Sequence, residues 1–144
     1  MKKEAATQEV VNSVSTDKAT IKIYASGILH IHFHENADFD VEDKKLMFKE
    51  TYELTLGKKY PTLFTADDGV SFTREAQAYG REQEPNLSYS CVALIVSNMA
   101  YRLLINFYIN YYKPEITYKT FSNIDESYIW LLEQVEKNKK KKDI

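Results

Sequence analysis

The segment from Leu87 to Trp130 constrains the fold more than any other stretch. A mostly apolar run, Cys91-Val92-Ala93-Leu94-Ile95-Val96, leads through Ser97-Asn98 into Met99 to Lys113, which has helical composition and apolar residues around most of its circumference. A second β-type run, Ile116 to Phe121, follows Pro114, and Asn123-Ile124-Asp125-Glu126 opens a last helix carrying Tyr128, Leu131, Leu132 and Val135. The order strand, helix, strand, helix points to an α/β protein with right-handed βαβ crossovers. A strand apolar on both sides belongs between neighbours in a parallel sheet.

Upstream, the pattern from Thr20 has period two. Ile21 and Ile23 share a face, Ser26-Gly27 makes a turn, and Leu29, Ile31 and Phe33 alternate with His30, His32 and His34, so the segment reads as a β-hairpin. Asp40 stands where a helix N-cap is wanted, with Glu42 and Asp43 in the first turn, and Gly57 is placed as the C-cap. The apolar side of that helix holds Met47, Phe48, Thr51, Tyr52 and Thr55. Pro61 to Ala66 forms the next strand and Asp67-Asp68-Gly69 breaks it; Ser71 or Thr73 then caps a helix with Phe72, Ala76 and Tyr79 on one side, closed by Pro85.

The predicted order is ββαβαβαβα: a five-stranded mixed sheet, an N-terminal hairpin followed by parallel strands, with four helices mainly on one face. Residues 1–18 are polar and read as a flexible segment, although Ala6, Val10 and Val14 recur at four-residue spacing. Residues 19–137 form a single domain, and 138–144, with Lys139 to Lys142, a basic tail. Crossovers that step one way and share a hand stack their helices on one side. The reverse side of the Cys91 to Val96 strand then needs a cover, which the N-terminal segment, a second copy of the chain or a ligand would supply. The polar residues Asn98, Arg102, Asn106, Asn110 and Lys113 fall in one narrow stripe of their helix, so its remaining surface also demands company. Self-association is the expectation.

Charge and cysteine usage narrow the function classes. Nineteen Lys and Arg against 21 Asp and Glu leave a net charge of -2, which offers nucleic acid no general attraction. Cys91 is the one cysteine and lies inside a buried run, so the chain makes no internal disulfide and fits a reducing, cytoplasmic setting. Lys2 and Lys3 lead into polar residues where a signal peptide needs an apolar stretch, and no window suits a membrane span. There is no G-x-S-x-G elbow, no glycine-rich phosphate loop and no C-x-x-C, so neither an enzyme nor a cofactor is expected.

The element order resembles the SpoIIAA-like fold, shared by STAS domains and, in elaborated form, by Sec14-type lipid-transfer domains. The small bacterial group of uncharacterised SpoIIAA/STAS-like proteins is similar in three places: the hairpin Gly27-Ile28-Leu29-His30-Ile31, the segment Arg102 to Phe107 followed by Pro114, and the ending Phe121-Ser122-Asn123-Ile124-Asp125-Glu126-Ser127-Tyr128-Ile129-Trp130-Leu131. The resemblance covers about residues 20 to 135. It implies a βα superhelix and a regulatory, protein-binding role; the Sec14 relationship implies lipid carriage. STAS regulators place a phosphoacceptor serine in a D-S-(S/T)-G turn after the third strand. Here that turn reads Asp67-Asp68-Gly69-Val70-Ser71, with an acidic residue at the serine position.

Three functional readings follow. The first is a non-enzymatic interaction module whose contacts are Asp67, Asp68, Ser71 and Thr73 and the aromatic helix residues Tyr101, Phe107, Tyr108, Tyr111 and Tyr112, with a protein partner or a second copy on the other side. The alternative is a carrier of a small apolar ligand or lipid, which requires an open apolar cavity of several hundred cubic ångströms beneath Met99 to Tyr112. The third is metal binding by His30 and His32, with Glu35, Asp67 or Asp68 completing the site.

Overall fold

The computed structural model describes residues 9–142. Its first half contains β1 (Val10–Ser15), β2 (Ala19–Tyr24), β3 (Leu29–Phe33), β4 (Asp38–Phe39), α1 (Val41–Thr55), β5 (Tyr60–Ala66) and β6 (Ser71–Phe72). Then come α2 (Arg74–Gln83), a 3-10 turn over Glu84–Asn86, β7 (Tyr89–Ile95), α3 (Met99–Tyr112), β8 (Thr117–Phe121) and α4 (Ile124–Lys142). Six strands form one sheet in the order β1-β2-β3-β5-β7-β8, and β4 pairs with β6 in a separate two-stranded parallel piece. The SpoIIAA-like arrangement is therefore present, with one strand more than the sequence pattern predicts.

The extra strand is β1. It runs antiparallel to β2 with Val14 opposite Ile21, so Val10–Ser15 is ordered sheet and not part of a flexible segment. Its β-branched valines suit a strand. As an edge strand it needs no apolar partner on both sides, so its polar composition reads as a flexible segment. Residues 1–8 lie outside the described residues. At the other end α4 continues through Lys142, so the basic tail is helical as far as it is described. Strands β4 and β6 have two residues each, too few to show a period.

The central strands follow the pattern. Strands β2 and β3 pair antiparallel with Ile21 opposite Ile31, around a turn in which Gly27 has φ +94. From β3 onward the pairs are parallel, Ile31 with Phe64, Phe64 with Leu94 and Leu94 with Thr120, and β7 lies between β5 and β8. Helix α1 starts on an Asp40–Asp43 capping box and ends with Leu56 in the left-handed region ahead of Gly57. Its buried stripe is Met47, Thr51 and Thr55; Tyr52 is exposed. The two threonine hydroxyls donate to the carbonyls of Met47 (2.7 Å) and Thr51 (2.8 Å), so they enter the core with their hydrogen bonds already made. Thr73, not Ser71, caps α2, accepting from the Ala76 N–H at 3.1 Å.

Two apolar layers flank the sheet. Ile21, Ile31, Phe33, Met47, Tyr89 and Val92 make one, on the side of α1 and α2. Leu63, Cys91, Ala93 and Phe121 make the other, closed by Tyr128, Leu131 and Val135 of α4. A bulge that skips Ser90 against β5 turns both Ser90 and Cys91 toward α4, where Asn138 donates to the Ser90 hydroxyl at 3.2 Å. Where Leu63, Cys91, Ala93 and Phe121 lie, the reverse face is thus covered by the chain's own last helix. The handedness rule places α1, α2 and α3, because each returns to a parallel strand. Helix α4 leads to no further strand and is free to fold under the sheet.

Candidate functional site

Helix α3 is the least embedded of the four helices. None of its residues is buried, because it stands away from the sheet across a cleft of about 510 Å³. Phe33, Phe64, Leu94 and Tyr118 give the floor from four adjacent strands; Phe72, Gly80 and Arg81 form one wall; Ile105, Tyr108, Ile109 and Tyr112 hang from α3 as the roof. The apolar floor exists because β5 and β7 are hydrophobic on both sides while only α1 and α2 are near enough to cover part of that face. A smaller space of about 270 Å³ between α1 and α2 shares Phe48, Leu87 and Tyr89 with the cleft.

Few polar contacts hold α3. Arg81 donates to the Tyr108 hydroxyl and lies 4.7 Å from the centre of the Tyr112 ring. At the sheet edge Thr120 donates to Asn106 Oδ1 at 3.1 Å, so part of the predicted polar stripe faces β8. The expected aromatic surface therefore divides: Tyr108 and Tyr112 line the cleft, whereas Phe107 (68 % exposed) and Tyr111 (71 %) point outward with Tyr101.

The polar groups of the cleft were not legible as a pattern. Lys44, from the first turns of α1, places its ammonium 4.8 Å from the centre of the Phe72 ring and 5.4 Å from that of Phe48, and burial lowers its pKa to about 8. Among the described residues no carboxylate pairs with it. Glu84 instead accepts from the backbone N–H groups of Glu115 (2.8 Å) and Ile116 (3.4 Å) and from the Tyr118 hydroxyl (3.3 Å), closing the opposite end. Tyr89 is buried with a hydroxyl that finds no partner among the described residues. In sequence Lys44 is one of 19 basic residues and nothing in its spacing separates it from solvated lysines.

The three histidines lie on the α4 side of β3, beyond the reach of that helix. Tyr24 OH meets His30 Nδ1 at 2.6 Å, Thr65 Oγ1 meets His30 Nε2 and His32 Nδ1 at 2.7 Å each, and His32 Nε2 meets Asp67 Oδ1 at 3.1 Å. One assignment in which each ring donates once and accepts once satisfies every contact: Tyr24 donates to His30, His30 to Thr65, Thr65 to His32, and His32 to Asp67. Burial holds the His30 pKa down at about 4, with His32 and Lys22 adding to the effect. All four ring nitrogens of His30 and His32 thus have protein partners, and among the described residues no three His, Cys, Asp or Glu side chains are grouped to hold a metal ion. His34 bonds separately to Thr20 at 2.7 Å and to the Asp17 carbonyl at 3.0 Å.

The turn after β5 is tied into the fold. The Asp67 N–H bonds to the Phe33 carbonyl (3.0 Å), the Asp68 carbonyl accepts from the Asn36 N–H (2.9 Å), and Ser71 donates to Asp38 Oδ1 (2.8 Å). Gly69 has φ +81, a conformation that strains any residue with a side chain, and a Cβ there would also push the Asn36 amide aside. Cys91 is buried among Leu63, Ala93 and Leu131, and burial raises its thiol pKa to about 11. Among the described residues no helix is long and apolar enough to cross a membrane.

Comparison with known proteins accords with this architecture. No curated protein matches the sequence. A crystal structure of an uncharacterised protein of the DUF3478 family with a SpoIIAA-like fold, from Shewanella loihica PV-4, superposes with a TM-score of 0.53, covering 83% of this chain and 90% of that one at 14% identity. That likeness is one of fold. At the level of sequence, residues 21–135 match the family model for the domain of unknown function DUF7793, and the chain belongs to that family.

Proposed function

We propose that this protein binds a small apolar molecule in the cleft beneath α3 and acts by binding rather than by catalysis. The observation that carries this reading is the cleft itself: about 510 Å³, walled by phenylalanines, leucine and isoleucines, and roofed by a helix with no buried residue. Ligand pockets usually occupy roughly 300–1,000 Å³ and are lined mainly by apolar side chains with a few polar groups. A closed interaction module has no need to hold its most apolar helix off the sheet. The weak attachment of α3 supports access, because an element with little buried surface opens at low free energy. Nile red, a neutral apolar dye, should brighten on mixing with the protein, and Leu94→Glu should abolish the effect while leaving the far-UV spectrum unchanged. No brightening, together with a native mass spectrum showing no retained small molecule, would refute the reading.

The outward side of α3 favours a second reading, contact with another protein or a second copy. Leu103 (65 % exposed) and Leu104 (61 %) lie beside Phe107 and Tyr111 and need a cover that the described residues do not give. Sedimentation at micromolar concentration should give more than one chain's mass for the native protein and a single chain's for Leu104→Glu. A single-chain mass for both would count against this contact.

A further inference from the structure

The Lys44 ammonium indicates what kind of molecule the cleft accepts. It lies at the inner wall, over the rings of Phe72 and Phe48, beside Gly80 of α2, where a Cβ would come within 3.5 Å of it. The missing side chain at Gly80 leaves the ammonium open on the cleft side. The carboxylate of Glu84 is taken up at the far end by two backbone N–H groups and Tyr118, and Arg81 is already engaged with Tyr108 and Tyr112. Lys44 is therefore a cation in apolar surroundings with aromatic faces but no counter-ion among the described residues. Such a charge is stabilised most by an anion that arrives with its own apolar body.

Volume limits that body. At roughly 30 Å³ for a water-sized group, close to the size of a methylene, the cleft of about 510 Å³ holds on the order of 15 such groups. One alkyl chain fits within the cleft; a two-chain glycerolipid would have to extend out of it.

We infer that the cleft takes a single-chain amphipathic acid, its tail on the floor of Phe33, Phe64 and Leu94 and its anionic head against the Lys44 ammonium. This rests on the cleft being a ligand site, and the test separates the two claims. Dodecanoate and dodecanol, both below their aggregation limits, are titrated against the Nile red complex of the wild type, Lys44→Met and Lys44→Arg. A hydrogen bond to a charged group typically changes affinity by about tenfold or more. Dodecanoate should accordingly displace the dye from the wild type at least about tenfold more tightly than dodecanol. Lys44→Met should erase that preference without weakening dodecanol, and Lys44→Arg should keep it. Equal displacement by acid and alcohol from the wild type would overturn the head-group assignment and leave the cleft reading intact. Failure of both to displace bound dye would overturn the single-chain assignment, and failure of the dye itself to bind would overturn the cleft reading with it. If dodecanoate fails while phosphatidylglycerol vesicles sediment the protein, the anion recognised belongs to a membrane surface and the inference is wrong.

Discussion

Replacing Lys44 by methionine should make the protein more stable, and the gain should vanish in alkali. Burial brings the ammonium from 10.5 down to about 8. At about 1.4 kcal/mol per tenfold change in proton affinity, keeping the charge in the fold costs about 3 kcal/mol. The facing rings of Phe48 and Phe72 return about 1 kcal/mol, so the net penalty is about 2 kcal/mol. Methionine is unbranched like lysine, one atom shorter, and carries no charge into the aromatic slot. Below pH 8 the ammonium is charged in both folded and unfolded chains and the penalty is complete. Between pH 8 and 10.5 the folded protein releases the proton while the unfolded chain keeps it, so wild-type stability rises with pH through that window. The phenols of Tyr89 and Tyr118, raised by burial, act in the opposite sense, because the fold keeps protons that the unfolded chain loses above about pH 10. Comparison of the two proteins at pH 7 and pH 9.5 isolates Lys44. The assay is urea unfolding followed by Trp130, the single tryptophan, whose ring lies 5.7 Å from Phe121. Lys44→Met should gain about 2 kcal/mol at pH 7 and lose at least about half of that by pH 9.5. A less stable variant at pH 7, or a gain independent of pH, would refute the account of Lys44 as an unpaired cation.

Other consequences are open to measurement. Leu131→Ala, which opens a hole where α4 covers the sheet, should lose about 2–5 kcal/mol, whereas Ile129→Ala on the exposed side of the same helix should stay within about 0.5 kcal/mol. Equal effects would mean that α4 does not pack on the reverse face. Acid should weaken the fold through His30: its folded pKa, about 4, lies below the unfolded value of 6.5, so the unfolded chain takes up a proton first and stability falls by up to about 3 kcal/mol as pH drops between those values. His30→Gln should remove most of that slope in unfolding curves at pH 7 and 4.5. An aromatic disulfide reagent should leave Cys91 untouched in the folded protein and react at the rate of unfolding; fast reaction in native buffer would contradict its burial.

How much of this was legible can be judged from single elements. The hairpin from Ile21 to Phe33, the capped start of α1 at Asp40 and the apolar Cys91–Val96 run, whose first three residues are buried and whose strand ends at Ile95, are local patterns, and the structure has them in place. The aromatic excess of α3 was also visible, because the surplus exists whatever the helix packs on. Lys44, Arg81 and Tyr89 were not visible as a site. They come from α1, α2 and β7, more than 35 residues apart at the extremes, and no spacing rule links them. The histidines show the reverse case. Alternation placed them correctly on one face of β3, but their partners come from two other segments, Tyr24 from β2 and Thr65 and Asp67 from the end of β5, and join them in a hydrogen-bonded chain that no spacing within β3 reveals.

By itself the sequence determined the order of the four helices and of the five strands from β2 to β8 that carry a period, and the hand of each crossover, since both depend on short-range periodicity and on chirality common to all L-chains. It also determined that β7 must be covered on both sides and that α3 has more apolar surface than one sheet absorbs. Only the tertiary structure decided what does the covering. Helix α4, bound by no crossover, turned under the sheet and packed on the reverse face, while α3 stayed lifted above Phe64 and Leu94 and left the cleft. Which apolar surface meets which is settled by competition among all elements for the same two faces, and that competition has no local signature in the chain.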